Sequence, residues 1–220
     1  MNKSVYSLVL SDDVVAAVDR EAYRAGMSRS AYINKLLAET VSYVTPEQRM
    51  NDIFTTVESL MDGGIFRIMP RPSDTALAMR SALQYKYKPV IRYGIELYRS
   101  FNGTIGKLKV SLRTQSDALI NEFTKFVGLW SALEKMYIMD HFPDGITYTV
   151  EKGKFTRTFC LPPEKHLLSD DEIAAALSEY VKMFDEIIKL YFVNCEDEKR
   201  AKELVMRRYK TYFSEGMPII

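Results

Sequence analysis

Apolar positions along this chain recur with different periods, and the change of period divides it. Residues 3 to 10, KSVYSLVL, are few and rich in β-branched and aromatic types, which predicts a strand ending at Ser11, an N-cap followed by two acids. In DDVVAAVDREAYRA the apolar Val14, Val15, Val18, Ala22 and Ala25 return at helical spacing as far as Gly26. Ser28 then caps a second helix, whose stripe is Tyr32, Ile33, Leu36, Leu37 and Val41. Thr45-Pro46-Glu47-Gln48 has the form of a capping box with proline at the first helical position, so a third helix is expected over residues 46–62, closed by Gly63-Gly64. The boundary falls near 44–50, giving a first domain of residues 1–45 and a second of residues 46–220.

In the second domain FRIMPRP reads as an edge strand interrupted by prolines, and DTALAMRSALQY as a short helix. VIRYGIELYR alternates, with Ile91, Tyr93, Ile95 and Leu97 on one face. After the turn signal Asn102-Gly103, KLKVSLR sets Leu108, Val110 and Leu112 on one face and Lys107, Lys109 and Arg113 on the other, so the two runs form a β-hairpin. SDALINEFTKFVGLWSALEKMYI is a long helix with Trp130 in the core, and TYTVEKGKFTRTF is a second hairpin about Lys152-Gly153. Two helices close the chain. The expected fold class is mainly α, with an α+β C-terminal part carrying β-hairpins.

Charge changes this picture only locally. Over the 220 residues, 30 Lys and Arg face 29 Asp and Glu, so no global field draws the protein to nucleic acid, membrane or acidic partners. Between Arg67 and Arg113, however, ten basic residues stand against Asp74 and Glu96 alone, interleaved with Tyr85, Tyr87, Tyr93 and Tyr98. That combination suits a phosphate backbone and unstacked bases, with Arg92, Lys107, Lys109 and Arg113 as a second nucleic-acid contact. A solvated sheet face with tyrosines half in the core accounts for the same letters, since Tyr93 and Tyr98 fall on opposite strand faces.

Chemistry is sparse. There is no glycine-rich phosphate loop or serine elbow, and His141 and His166 have neither metal nor triad spacing. Cys160 and Cys195 read as buried free thiols of a reducing cytosol. No catalytic residue, metal or cofactor is expected, and the protein reads as no enzyme. The start MNKSVYSLVLSDD lacks a signal peptide's apolar core, and no run approaches transmembrane length, so a cytoplasmic protein without membrane contact is expected.

A single strand with two short helices cannot close a core alone. Two copies can, if their strands pair antiparallel: Tyr6, Leu8 and Leu10 then face the helices, and Lys3, Val5, Ser7 and Val9 face outward on a ribbon narrow enough for the major groove. With its strand, its helix and its Gly-Met-Ser-Arg-Ser start of the next helix, LSDDVVAAVDREAYRAGMSRSAYINKLL resembles the ribbon-helix-helix superfamily of DNA-binding proteins, of the Arc, MetJ and CopG type, over residues 3–43. The resemblance implies a homodimer or higher homo-oligomer on double-stranded DNA, with the ribbon reading bases and the second helix's N-terminus gripping a phosphate through Ser28, Arg29 and Ser30. Plain helix caps and a solvated charge would show the same three residues. Val5, Ser7 and Val9 depart from the long polar side chains common on that ribbon, which leaves specificity to Lys3, backbone contacts and DNA shape. The expected function is sequence-specific DNA binding by a transcriptional regulator whose C-terminal domain oligomerises, senses a ligand or binds a protein partner. The alternatives are a plasmid or mobile-element accessory protein, acting in partition or DNA transfer, and an antitoxin.

Overall fold

Ser11 and the acids Asp12 and Asp13 begin helix α1 (Asp12–Arg24), where negative side chains meet the positive end of the helix dipole. The chain leaves α1 through Gly26, whose φ of 65° lies in the left-handed region that glycine enters without strain. Ser28 caps α2 (Arg29–Thr40) by accepting a hydrogen bond from the Ala31 amide at 3.3 Å. The structure, a computed structural model, describes residues 5–41, 43–85, 89–165 and 168–220, so Lys3, Tyr87 and His166 lie outside it. It parts into two units, Met1–Arg49 and Met50–Ile220.

The expected N-terminal strand is not there. Residues 5–10 carry no regular structure and pair with no strand among the described residues, so the ribbon-helix-helix fold is corrected to a helical hairpin, α1 and α2, preceded by an irregular segment. β-branched and aromatic side chains favour a strand only where a neighbour supplies the hydrogen-bond ladder, and among the described residues this unit holds no strand to do so. Helix α3 (Pro46–Met61) begins with the Thr45 hydroxyl accepting from the Gln48 amide at 3.2 Å, and buries Met50, Ile53, Phe54, Val57 and Met61.

The second unit is built on a six-stranded, wholly antiparallel sheet in the order β1-β2-β3-β4-β6-β5. Its strands are β1 (Arg67–Ile68), β2 (Ala76–Ala82), β3 (Val90–Asn102), β4 (Thr104–Arg113), β5 (Tyr148–Glu151) and β6 (Lys154–Cys160). β1 is the expected edge strand. β2 corrects the short helix expected in DTALAMRSALQY: Ala, Leu and Met favour helices, but Leu77, Met79 and Ser81 alternate into the core and the segment pairs with β3 from Ala76 to Ala82. The two expected hairpins are present as β3–β4 and β5–β6. A register irregularity in β4 lies between Thr104 and Gly106, where a Cβ on Gly106 would stand 2.2 Å from the Glu96 carbonyl oxygen, so only glycine fits.

Helices α4 (Asp117–Tyr137), α5 (Asp170–Asn194) and α6 (Glu198–Ser214) follow. The buried residues of the sheet, α3 and these three helices form one core. α5 is its centre, with Phe184 meeting Trp130 at 4.7 Å, Phe155 at 5.9 Å and Tyr93 at 6.2 Å between ring centroids. The core is not wholly apolar. Arg157, at an inward position of β6, is fully buried with Glu134 of α4, Nη2 to Oε1 3.2 Å. The Tyr180 hydroxyl donates to Glu134 at 2.7 Å and accepts from the Trp130 indole at 2.9 Å. Burial alone would push the Arg157 guanidinium down, and the Glu134 charge beside it more than reverses this, leaving it raised and charged.

Such a pair costs desolvation on both sides, so its removal as a unit and its breakage should differ. Glu134→Gln is expected to destabilise the protein by about 3–5 kcal/mol, whereas Glu134→Leu with Arg157→Met should cost much less. Urea unfolding of the variants as a double-mutant cycle measures both, and equal losses for the single and double replacements would refute the pairing argument.

Candidate nucleic-acid interface

Two places in the chain hold the residues singled out by sequence. The first is the start of α2. Ser28, Arg29 and Ser30 are all exposed. By helix geometry the amides of the first turn have no carbonyl to bond, so those of Arg29 and Ser30 are free to meet an anion. The Arg29 guanidinium itself is engaged: Nε and Nη2 donate to the two carboxylate oxygens of Asp19 in α1, each at 2.6 Å. The hydrogen bond from Arg29 holds the Asp19 carboxyl below the usual carboxylate range. Val5, Ser7 and Val9 are exposed and lie in the irregular segment before α1 rather than on a strand.

The second place is the outward face of the sheet. Side chains alternate across a strand, so burying Ile91, Tyr93 and Ile95 of β3 and Leu108, Val110 and Leu112 of β4 turns Arg92, Lys107, Lys109 and Arg113 outward together. Glu96 of β3 lies opposite Lys107, 3.0 Å away, and also accepts a hydrogen bond from Lys109. Partial burial pushes the Glu96 carboxyl up, and the two lysine hydrogen bonds outweigh this, so it lies below its ordinary value. Arg92 and Arg113 have no ion pair among the described residues, and the buried Nε of Arg92 has no hydrogen-bond partner.

Three further cations join this face: Arg67 and Arg80, which belong to the basic run but not to the four residues named for the contact, and Lys154. The ladder sets Arg67 opposite Arg80, Arg80 opposite Arg92, Arg92 opposite Ser111 and Ser111 opposite Lys154. Assigning residues 74–85 to a helix hid the outward position of Arg80, whose alternation with Leu77, Met79 and Ser81 was the available signal. The tyrosines do not accompany them: Tyr93 is buried, donating to Asp185 at 2.8 Å, and Tyr85 packs on Phe192. Only Tyr98 of those described is exposed.

Among the described residues no helix is long and apolar enough to cross a membrane, and no three His, Cys, Asp or Glu side chains gather as metal ligands. No family model matches the chain, and no curated protein or solved structure matches it.

Glu96 has a folded-state pKa below its unfolded one, so its contribution is present above the ordinary carboxylate value near pH 4.3 and disappears as pH falls through the folded value. The gap in melting temperature between the wild type and Glu96→Gln should therefore narrow on acidification from about pH 6 to about pH 3. A pH-independent gap would show that the two lysines do not stabilise the charged form.

Proposed function

We propose that the protein is a DNA-binding regulator that acts as a homodimer and grips a DNA phosphate with the first turn of α2. The observation that carries this reading is the exposed run Ser28, Arg29 and Ser30 at a capped helix start, which brings free amides, hydroxyls and a guanidinium to one turn. It lies within the segment whose likeness to DNA-binding proteins is visible in the sequence, and it needs no ribbon.

The homodimer is supported by how little the N-terminal unit buries. Among the described residues its buried apolar ones are Ala22 and Ala38, while Tyr6, Leu8, Leu10, Val14, Leu37 and Val41 are exposed. Two alanines supply a small fraction of the hydrophobic free energy that a unit of this length needs, so a second copy covering these side chains fits the deficit. Sedimentation equilibrium of the full chain at micromolar concentration should return a dimer; a monomer would remove this part of the proposal.

The ion pair with Asp19 gives the phosphate grip a two-sided test. Arg29→Ala should weaken binding to specific and random duplexes alike, by about tenfold, because a phosphate contact carries no sequence information. Asp19→Asn should strengthen binding at low salt by releasing the guanidinium. Fluorescence anisotropy on labelled duplexes reads both. If neither substitution moves affinity while both variants keep their helical content, the first turn of α2 is not a DNA contact.

A further inference from the structure

We propose that the outward face of the sheet is a second DNA contact, a track for the duplex phosphate backbone centred on the row Arg67, Arg80, Arg92, Ser111 and Lys154. The inference rests on the reading of the protein as DNA-binding and adds to it a surface in the other unit.

The row follows from strand register. Five adjacent strands, β1, β2, β3, β4 and β6, each place one of these residues at directly opposed positions on one face. Strands lie about 4.8 Å apart, so the row extends for about 19 Å. Directly opposed like charges destabilise a sheet. Arg67 against Arg80, and Arg80 against Arg92, are two such pairs in succession, and among the described residues none of the three arginines has a carboxylate partner. Elsewhere on the face carboxylates are supplied: Glu96 serves Lys107 and Lys109, and Glu151 lies 3.9 Å from Lys154. Among the described residues the fold therefore leaves these three arginines without an anion, and their charge is open to one from outside.

The side chains between the cations select the occupant. Ala76, Ala78 and Gly94 share this face with Arg80 and Arg92, leaving the surface low enough for a bulky backbone to approach. A protein partner would need apolar or aromatic anchors at the centre of the patch, and these small residues offer none. Unstacked bases would need several aromatic platforms along the row; Tyr85 and Tyr93 are turned into the core, and Tyr98, the one exposed tyrosine of this run among the described residues, lies past Glu96 in β3, away from the row. Guanidinium forks match phosphate oxygens in bidentate geometry, and each strand of duplex DNA presents one phosphate per about 3.4 Å of axis, about six along the length of the row. Such contacts fix position and affinity without reading sequence.

The test uses the full chain with Arg67→Gln, Arg80→Gln and Arg92→Gln combined, and random-sequence 30-base-pair duplexes titrated from about 50 to 200 mM salt. Loss of three phosphate contacts should flatten the log-log salt dependence by roughly 2.7, at about 0.9 per contact, while the melting temperature holds or rises because like-charge repulsion has been removed. An unchanged slope in the folded variant overturns the proposal. Should the triple variant fail to fold, Arg80→Gln alone carries the same test with an expected change of about 0.9. Polyglutamate competing as well as DNA at equal charge would overturn the assignment to a phosphate backbone. Arg29→Ala, run in parallel, separates the two readings: if it weakens binding and the arginine variant does not, the sheet proposal falls and the α2 reading stands. The reverse pattern removes the α2 contact and supports the sheet, and a wild type that binds no duplex at 50 mM salt overturns both.

Discussion

One face of the six-stranded sheet is buried against helices and the other meets water, and the side-chain period of two turns that asymmetry into a rule for every strand. Leu108, Val110 and Leu112 can enter the core only if Lys107, Lys109, Ser111 and Arg113 leave it. A slip of one residue in β4 would bury three cations and expose three aliphatic side chains, so the register is fixed by a large penalty rather than by the hairpin turn alone. Once the register is fixed, the cations of neighbouring strands are aligned as well. The row of Arg67, Arg80 and Arg92 is therefore a consequence of core packing acting on sequences that carry arginine at matching outward positions.

The inward charges are treated quite differently. Arg157 sits where alternation demands an apolar residue, and it is met by Glu134, by the ring of Tyr180 with its centroid 4.5 Å from the guanidinium, and by that of Phe159 at 5.3 Å. Asp185 of α5 accepts hydrogen bonds from Ser81 of β2, from Tyr93 of β3 and from Lys189 one turn away. Each network ties particular helices to particular strands through directional bonds, which apolar packing alone would not specify. Against that background the outward arginines stand apart: Arg157 meets a carboxylate, while among the described residues Arg67, Arg80 and Arg92 meet none.

Much of the second unit was legible because its strands alternate strictly and its helices are long. β3, β4, β6 and α4 to α6 follow from Ile91-Tyr93-Ile95, Leu108-Val110-Leu112, the Lys152-Gly153 turn and three long apolar stripes. β2 was not legible, since Ala-Leu-Ala-Met-Arg-Ser-Ala has helical propensity and its strand state is imposed by pairing with β3. Helical periodicity there gives no hint that Arg80, one of the basic run, stands in line with Arg67 and Arg92. At the N-terminus the sequence indicated the two helices, their caps and the Gly26 turn, but a strand predicted from composition had no neighbour within the chain to pair with. The ion pair between Asp19 and Arg29 bridges ten positions across a helix–helix turn, a separation that no local pattern encodes.

That ion pair bears on how the two surfaces would act. Asp19 and Arg29 are both solvent-exposed, where water and salt screen the attraction and leave the pair little net strength. It nevertheless fixes the guanidinium of the first residue of α2 against α1, in the turn whose amides no carbonyl of the helix can satisfy. A phosphate arriving there offers the same two oxygens as the Asp19 carboxylate and in addition accepts from those amides, so the exchange trades one screened contact for several charge-assisted ones. The sheet face offers no such exchange, because its arginines begin without a carboxylate partner. DNA binding there, as proposed, would release only the counterions condensed on DNA and so respond steeply to salt. The α2 site would first have to give up Asp19, so its proposed contact would respond less to salt and more to the geometry of the phosphate.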